Sequence, residues 1–360
     1  MRLTNCHIHV FTADHVPDRF AGFAGPLLRI RPLRLALLPI LKRFDPSPRD
    51  RIERYARMLE ISHNSTQAEI FELARAIYPA GTRFVVLPMD MTHMATGKVK
   101  VPIDRQHAEL GTLRDAHADA IIPFAAVDPR QERVVEKTIA LLEEDNFGGI
   151  KLYPPVGYDP GDSRLEPLYA YAEERQIPVM AHCSRYGVYF RGSRHPVTGE
   201  QLPVLRRPAV MAELADPDRF LPVLAAHPRL KLCLAHFGGQ GEWDKYLDDR
   251  EDATSWLAKI RDMIMAGRYE NLYTDVSYTV FAAERYVHLL DELLDDPRLR
   301  NRVLYGSDFY VVEDAKIDEP TGFALVKSVL GDDKFRAIAI DNPNRYLSGA
   351  GSGAAVGRPE

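Results

Sequence analysis

The chain is poor in the features that hold disulfide-rich, nucleic-acid-binding or membrane proteins together. Only three cysteines occur in 360 residues, Cys6, Cys183 and Cys233, with no C-x-x-C pair among them. That excludes a disulfide framework and a cysteine-rich zinc module, and it fits a reducing cytoplasm, the expected location. Excess positive charge is missing too: the formal net charge is -5, which gives no sign of a nucleic-acid partner. Long apolar runs are also lacking. The richest early stretch, PLLRIRPLRLALLPILKRF (26–44), is interrupted by Arg29, Arg31 and Arg34 and is too short to span a membrane. It lacks the small-residue cleavage site of a signal peptide and reads as an amphipathic helix for core or subunit packing, which leaves room for a homodimer. No G-x-G-x-x-G follows the first apolar run, so a dinucleotide fold has no support, and no internal repeat is visible.

What is present is an ordinary globular composition, 46% hydrophobic and 27% charged, with a regular alternation of elements. Near-continuous apolar runs mark strands at 3–11, 82–91, 120–128, 147–154, 177–184, 230–238, 271–278 and 302–309. Such runs fit buried parallel strands. Helix-length stretches lie between them at 130–146, 165–176, 253–267 and 282–296. Eight strands alternating with helices predict an α/β fold of the (β/α)8 TIM-barrel type, one domain over residues 1–347. Two connections exceed what the barrel needs, 12–81 after the first strand and 185–229 after the fifth. Insertions at those places lie at the face where barrel chemistry occurs. The Gly/Ala/Ser-rich tail 348–360 is expected to be disordered.

The ends of these strands carry ionisable residues in apolar surroundings. NCHIHVF (5–11) opens the chain with His7 and His9 one residue apart. On a strand they share a face, opposite Cys6, Ile8 and Val10. Two neighbouring imidazoles suit a metal ion, because neutral imidazole is its commonest protein ligand. Later ends supply Asp90, Asp128, Lys151, His182, His236, Asp275 and Asp308. Singly, each has a plainer reading: His182 as a hydrogen-bonded core histidine, Asp308 as a cap, Asp90, Asp128 and Asp275 as turn residues. Jointly, His7, His9, His182, His236 and Asp308 point to one metal-type site, because a closed barrel gathers strand ends into a ring.

The ordered series HIH, GGIKLYPP (148–155), MAHCS (180–184), LAHFGG (234–239), LYGSDF (304–309) and DNPNRYL (341–347) resembles the amidohydrolase superfamily over residues 1–347. More narrowly, it resembles the aminocarboxymuconate-semialdehyde-decarboxylase-like branch. The resemblance implies a divalent metal held by His7, His9, His182 and Asp308, with His236 acting beside it on substrate or water. It also sets a problem at Lys151. In binuclear relatives a lysine at this place is carboxylated and bridges two metals, with both later histidines, here His182 and His236, as ligands. One metal per chain is therefore expected, with a second one held through Lys151 and His236 as the alternative.

Histidine and aspartate donors suit zinc first, with manganese or iron as alternatives. A bound metal lowers the pKa of its water toward about 7, which gives a nucleophile for hydrolysis. Asp308 would serve as its base and His236 would stabilise the oxyanion. The first expectation is therefore a metal-dependent hydrolase of an amide, lactone or related bond. Non-oxidative decarboxylation of an aromatic or unsaturated acid is the alternative, and a catalytically silent binding barrel is the third reading. Arg185, Tyr186 and Arg191, in the arginine- and aromatic-rich start of the second insertion, suggest a small anionic substrate.

Overall fold

The computed structural model describes residues 2–20, 60–63 and 66–349. The stretch 26–44, read as an amphipathic helix, and the tail beyond 349 lie outside the described residues. Eight parallel strands stand in sequence order: β1 (Thr4–Ile8), β2 (Arg83–Val86), β3 (Ile121–Val127), β4 (Gly149–Leu152), β5 (Val179–Ser184), β6 (Leu232–Gly238), β7 (Leu272–Asp275) and β8 (Val303–Leu304). The ring closes where β1 meets β8 and the segment beyond it. Cys6 N–H donates to Tyr305 O and Asp308 N–H to His7 O, both at 2.8 Å, and Ile8 bridges Phe309. This is the (β/α)8 barrel that the alternation of elements predicts.

Closure buries both faces of each strand, which is why the strands are apolar almost throughout. Cys6, Val85, Phe124, Met180, Cys233, Tyr273 and Leu304 fill the inside. Ile8, Val86, Ala125, Ile150, Val179 and Leu232 pack in the larger cluster shared with the surrounding helices. Tyr346 and Leu347, from the terminal helix Asn342–Leu347, join the inner group. Lys231, one residue before β6, donates to Arg345 O at 3.1 Å and so ties that helix to the N-terminal end of the barrel. The opposite end is thereby left for the site.

The helices follow the sequence pattern with shorter bounds: Val134–Glu143, Glu166–Arg175, Trp256–Met265 and Glu284–Leu293. One more, Gln67–Ile77, is started by a reciprocal cap in which Thr66 Oγ1 accepts from Glu69 N and Glu69 Oε2 accepts from Thr66 N. Its buried residues Ile70, Phe71 and Ala74 lie on one face. No helix among the described residues is long and apolar enough to cross a membrane.

Strict alternation fails in β1. Ile8 and Val10 belong to the outer cluster as expected, but Cys6 lies in the inner one. The register between β1 and β2 shifts between Asn5 and Ile8, so the parity changes at His7. A similar irregularity between His182 and Ser184 pairs Ser184 with Gly238. Both fall where site residues leave the sheet.

Candidate metal centre

The first ligand candidates are held from behind. His7 is fully buried, and its Nδ1–H donates to Asp275 Oδ2 at 2.9 Å, with Ser277 Oγ at 3.0 Å. His9 Nδ1 lies 2.6 Å from Leu87 O. A carbonyl oxygen can only accept, so that nitrogen carries the proton. By the same logic His182 Nε2–H donates to Tyr186 O at 2.8 Å, and His236 Nδ1–H to Ser277 O at 3.1 Å. Each of the four rings has one nitrogen committed to an acceptor, so the other presents a lone pair.

Those lone pairs converge. His9 Nε2 lies 3.0 Å and His7 Nε2 3.5 Å from Asp308 Oδ1, and His236 Nε2 lies 3.0 Å from His182 Nδ1. His7 Nε2 and Asp308 Oδ1 are buried without a hydrogen-bond partner. Acceptors facing acceptors in a dry site repel one another, and a cation among them removes the conflict. His7, His9 and Asp308 lie close enough for one atom of each to reach a common ion, and so do His7, His236 and Asp275. The donor set of imidazole and carboxylate fits a divalent cation.

Electrostatics keep the ligands in their binding forms. Burial, reinforced by the Lys151 charge, pushes His7 down to about 3, so its ring is neutral near pH 7. Burial opposes ionisation of Asp275, and the interaction with His7 outweighs it, so that carboxyl stays well below the usual carboxylate range.

The backbone bends to deliver these groups. His236 and Asp308 have φ of 68° and 69°, values uncommon for residues with a Cβ. Asn5 spans the closure: its Nδ2 donates to Ser307 Oγ at 2.8 Å, and its Oδ1 accepts from His7 N and Ser307 N. At Gly306 a Cβ would lie 2.7 Å from the Cβ of His7, so the close approach of β1 requires glycine there.

A cavity of about 330 Å³ opens above the cluster, lined by His9, His182, His236 and Asp308 together with Phe11, Met89, Tyr153, Tyr186, Tyr278 and Val311. Tyr153 stacks on the His182 ring, centroids 4.2 Å apart, and its hydroxyl accepts from Val188 N.

The structure thus gathers His7, His9, His182, His236 and Asp308, and it places Tyr186 at the cavity. Other expected residues lie elsewhere. Arg185 donates to Glu242 Oε1 at 2.7 Å, pairs with Glu213 and lies over the Trp256 ring. Arg191 donates to Phe20 O and covers the Phe20 and Tyr189 rings. Neither lines the cavity; both tie loops together, because neighbouring carboxylates, carbonyls and aromatic faces take up their guanidinium groups. Lys151, in β4, is buried with Nζ unpartnered and lies outside the cavity lining. Its charge nevertheless acts on His7 and His182, and those of Asp275 and Asp308 act on it, so it belongs to the cluster. Asp128 is a turn residue paired with Arg130, and Asp90 accepts from Thr92 N and Gln131 Nε2. Asp275 is the residue whose weight the sequence understated. Ser277, Asn5, Tyr153 and Tyr278 carry no sequence signal of their own, except that Tyr153 lies two residues after Lys151.

No curated protein matches the chain significantly in sequence. Solved structures similar to it include 2,6-dihydroxybenzoate decarboxylase from Rhizobium, at 16% identity, TM-score 0.56, covering 96% of this chain and 98% of that one. Another is 4-oxalomesaconate hydratase from Rhodopseudomonas palustris, at 15%, 0.53, and 96% of each chain. A third is a variant of 5-carboxyvanillate decarboxylase from Novosphingobium aromaticivorans with manganese and 3-methoxy-4-hydroxy-5-nitrobenzoic acid, at 12%, 0.54, and 96% and 97%. At such identities they speak for the fold alone. The family described as Amidohydrolase, by contrast, matches residues 5–348, and the chain belongs to it.

Proposed function

We propose that the protein is a metal-dependent enzyme that removes a carboxyl group, without oxidation, from a small aromatic or unsaturated acid. The observation that carries this reading is the cavity itself: its floor is a converging set of lone pairs, and its walls are Phe11, Met89, Tyr153, Tyr278 and Val311. Flat apolar walls over a few convergent polar groups suit a planar ring bearing one charged substituent. The same fold carries decarboxylases of aromatic acids in two of the similar structures named above.

His7, His9, His182 and Asp308 would hold the cation, with His236 beside them. Bound there, a divalent cation supplies Lewis-acid polarisation of the substrate's oxygens. Asp308 lies at the boundary between the cluster and the cavity, where a proton must move. It takes a proton from solvent in the cavity and passes it to the ring carbon bearing the carboxylate. The bond from that carbon to the carboxyl carbon then breaks, its electron pair restores the ring, carbon dioxide leaves, and Asp308 is again a carboxylate. His182 and His236, braced by Tyr186 O and Ser277 O, keep the substrate's polar edge oriented.

The test is carbon dioxide release from a panel of aromatic and unsaturated acids by manganese- or zinc-loaded protein. Asp308→Asn is expected to lower turnover by about 10²–10⁴-fold. A variant that keeps full turnover removes Asp308 from the reaction. Release from no acid, with a lactone or amide opened instead, moves the assignment to hydrolysis. That second reading is favoured by Lys151, whose unpartnered amine burial pushes down to about 8. An amine in that state can take up carbon dioxide as a carbamate and hold a second metal. Intact mass under bicarbonate, with metal content per chain, separates the two.

A further inference from the structure

The backbone at Tyr278 is strained. Its φ is 59° and its ψ is -48°. Thr279 N–H donates to Ser277 O, two residues back, at 2.6 Å. These three residues form the γ-turn whose handedness L residues disfavour, a rare and strained form. Glycine would adopt it freely, whereas a residue with a large Cβ substituent does so only when its surroundings impose it.

The surroundings do impose it. Tyr278 N–H donates to Ser307 O at 3.2 Å, tying the turn to the segment that carries Asp308. Ser277 is fully buried, and its Oγ donates to Asp275 Oδ1 at 2.5 Å. Thr279, also buried, donates from Oγ1 to His236 O at 2.9 Å. Both flanking side chains are therefore spent on the metal cluster. Tyr278 is the half-buried member of the turn, and it lines the cavity.

We propose that Tyr278 is a specificity-determining residue, held against the substrate by this γ-turn, its ring forming the wall on which the planar part of an aromatic acid packs. Glycine would relieve the turn, whereas the tyrosine held in it lines the cavity, so the strained residue is one that a bound ligand meets. This rests on the aromatic-acid reading above.

Full-length Tyr278→Gly, Tyr278→Ala and Tyr278→Phe, loaded with manganese, test it with 2,6-dihydroxybenzoate as the probe. Without ligand, the glycine variant is expected to melt above the alanine variant, because both lose the side chain but only glycine relaxes the turn. By calorimetric titration, glycine and alanine should each weaken binding of the acid at least tenfold, with manganese affinity within twofold of wild type. Phenylalanine, which keeps the ring and guards against a variant that does not fold, should bind within threefold of wild type. Undiminished binding by the glycine and alanine variants overturns the proposal. So does a parallel loss of manganese affinity, which would make Tyr278 a support of the cluster. Wild-type protein that takes up none of the acid sinks the aromatic-acid reading instead. In that event a glycine variant no more stable than the alanine variant overturns the Tyr278 proposal as well.

Discussion

A histidine offers a lone pair to a cation only when its other nitrogen keeps the proton, and at His7 that depends on Asp275. Asp275 is fully buried, and besides His7 it accepts from Ser277 Oγ, Ser277 N and His236 N. Replacing it by asparagine keeps the volume but puts an N–H₂ where one acceptor stood. Asp275→Asn is therefore expected to lower divalent-cation affinity by about 10–100-fold, as outer-sphere substitutions usually do. Competition against a chromogenic chelator measures it, and unchanged affinity would mean that another group fixes the His7 tautomer. The residue scale also marks how far the sequence could be read. His7, His9, His182, His236 and Asp308 were legible because each ends an apolar run. Asp275 ends one as well, yet by itself it reads as a turn residue. Asn5 and Ser277 carry no such signal, since their partners Ser307 and His7 lie 302 and 270 positions away.

Between elements, the most unusual contact joins the helix Glu319–Arg336 to the end of Gln67–Ile77 and to β8. Glu319 is fully buried, accepts from Tyr78 OH at 2.5 Å, and Tyr78 OH lies 3.1 Å from Tyr305 OH. Burial pushes the Glu319 carboxyl up to about 8. A carboxyl raised in the folded state binds a proton there that the unfolded chain gives up near its ordinary value of 4.5. Folding stability therefore falls as pH rises from about 4.5 through 8, and then levels. Glu319→Gln keeps an acceptor for Tyr78 and removes the titration. Relative to wild type, the variant should gain in melting temperature between pH 5 and pH 8.5; an offset independent of pH would show that Glu319 does not titrate in that window. Elements themselves were legible because strands buried on both faces read as continuous apolar runs. The switch of parity at His7 was not, since a bulge depends on what β2 and the segment after β8 offer across the gap. Arg185 and Arg191 show the same limit: a loop arginine beside aromatics has one sequence signature whether it meets a substrate or, as here, Glu242 and Phe20 O.

At the scale of the whole molecule, barrel closure and cation binding are one problem. The eightfold alternation was enough to predict the architecture, but it says nothing of what holds the seam. β8 has only two residues, and its partnership with β1 passes to the segment 305–309, which carries Asp308. His7 and His9 come from the other side of that seam, His182 and His236 from β5 and β6. Five acceptor groups are thus pressed together by the fold, and each repels its neighbours in the absence of a cation. A cation at the candidate centre would bind the folded ring and find no such cluster in the unfolded chain. At free metal one hundred times its dissociation constant it adds about 2.7 kcal/mol to folding stability. Chelator-stripped protein should therefore melt several degrees below the reconstituted form, with the first loss of amide protection from hydrogen exchange at 5–9 and 305–309. Asp308→Asn removes the one anionic ligand and should abolish most of the difference, while its metal-free form melts no lower than stripped wild type, because the lone-pair conflict with His7 and His9 is eased. If stripping changes neither melting nor protection at the seam, the clustered imidazoles are held by the fold without a metal, and the centre described here is not one.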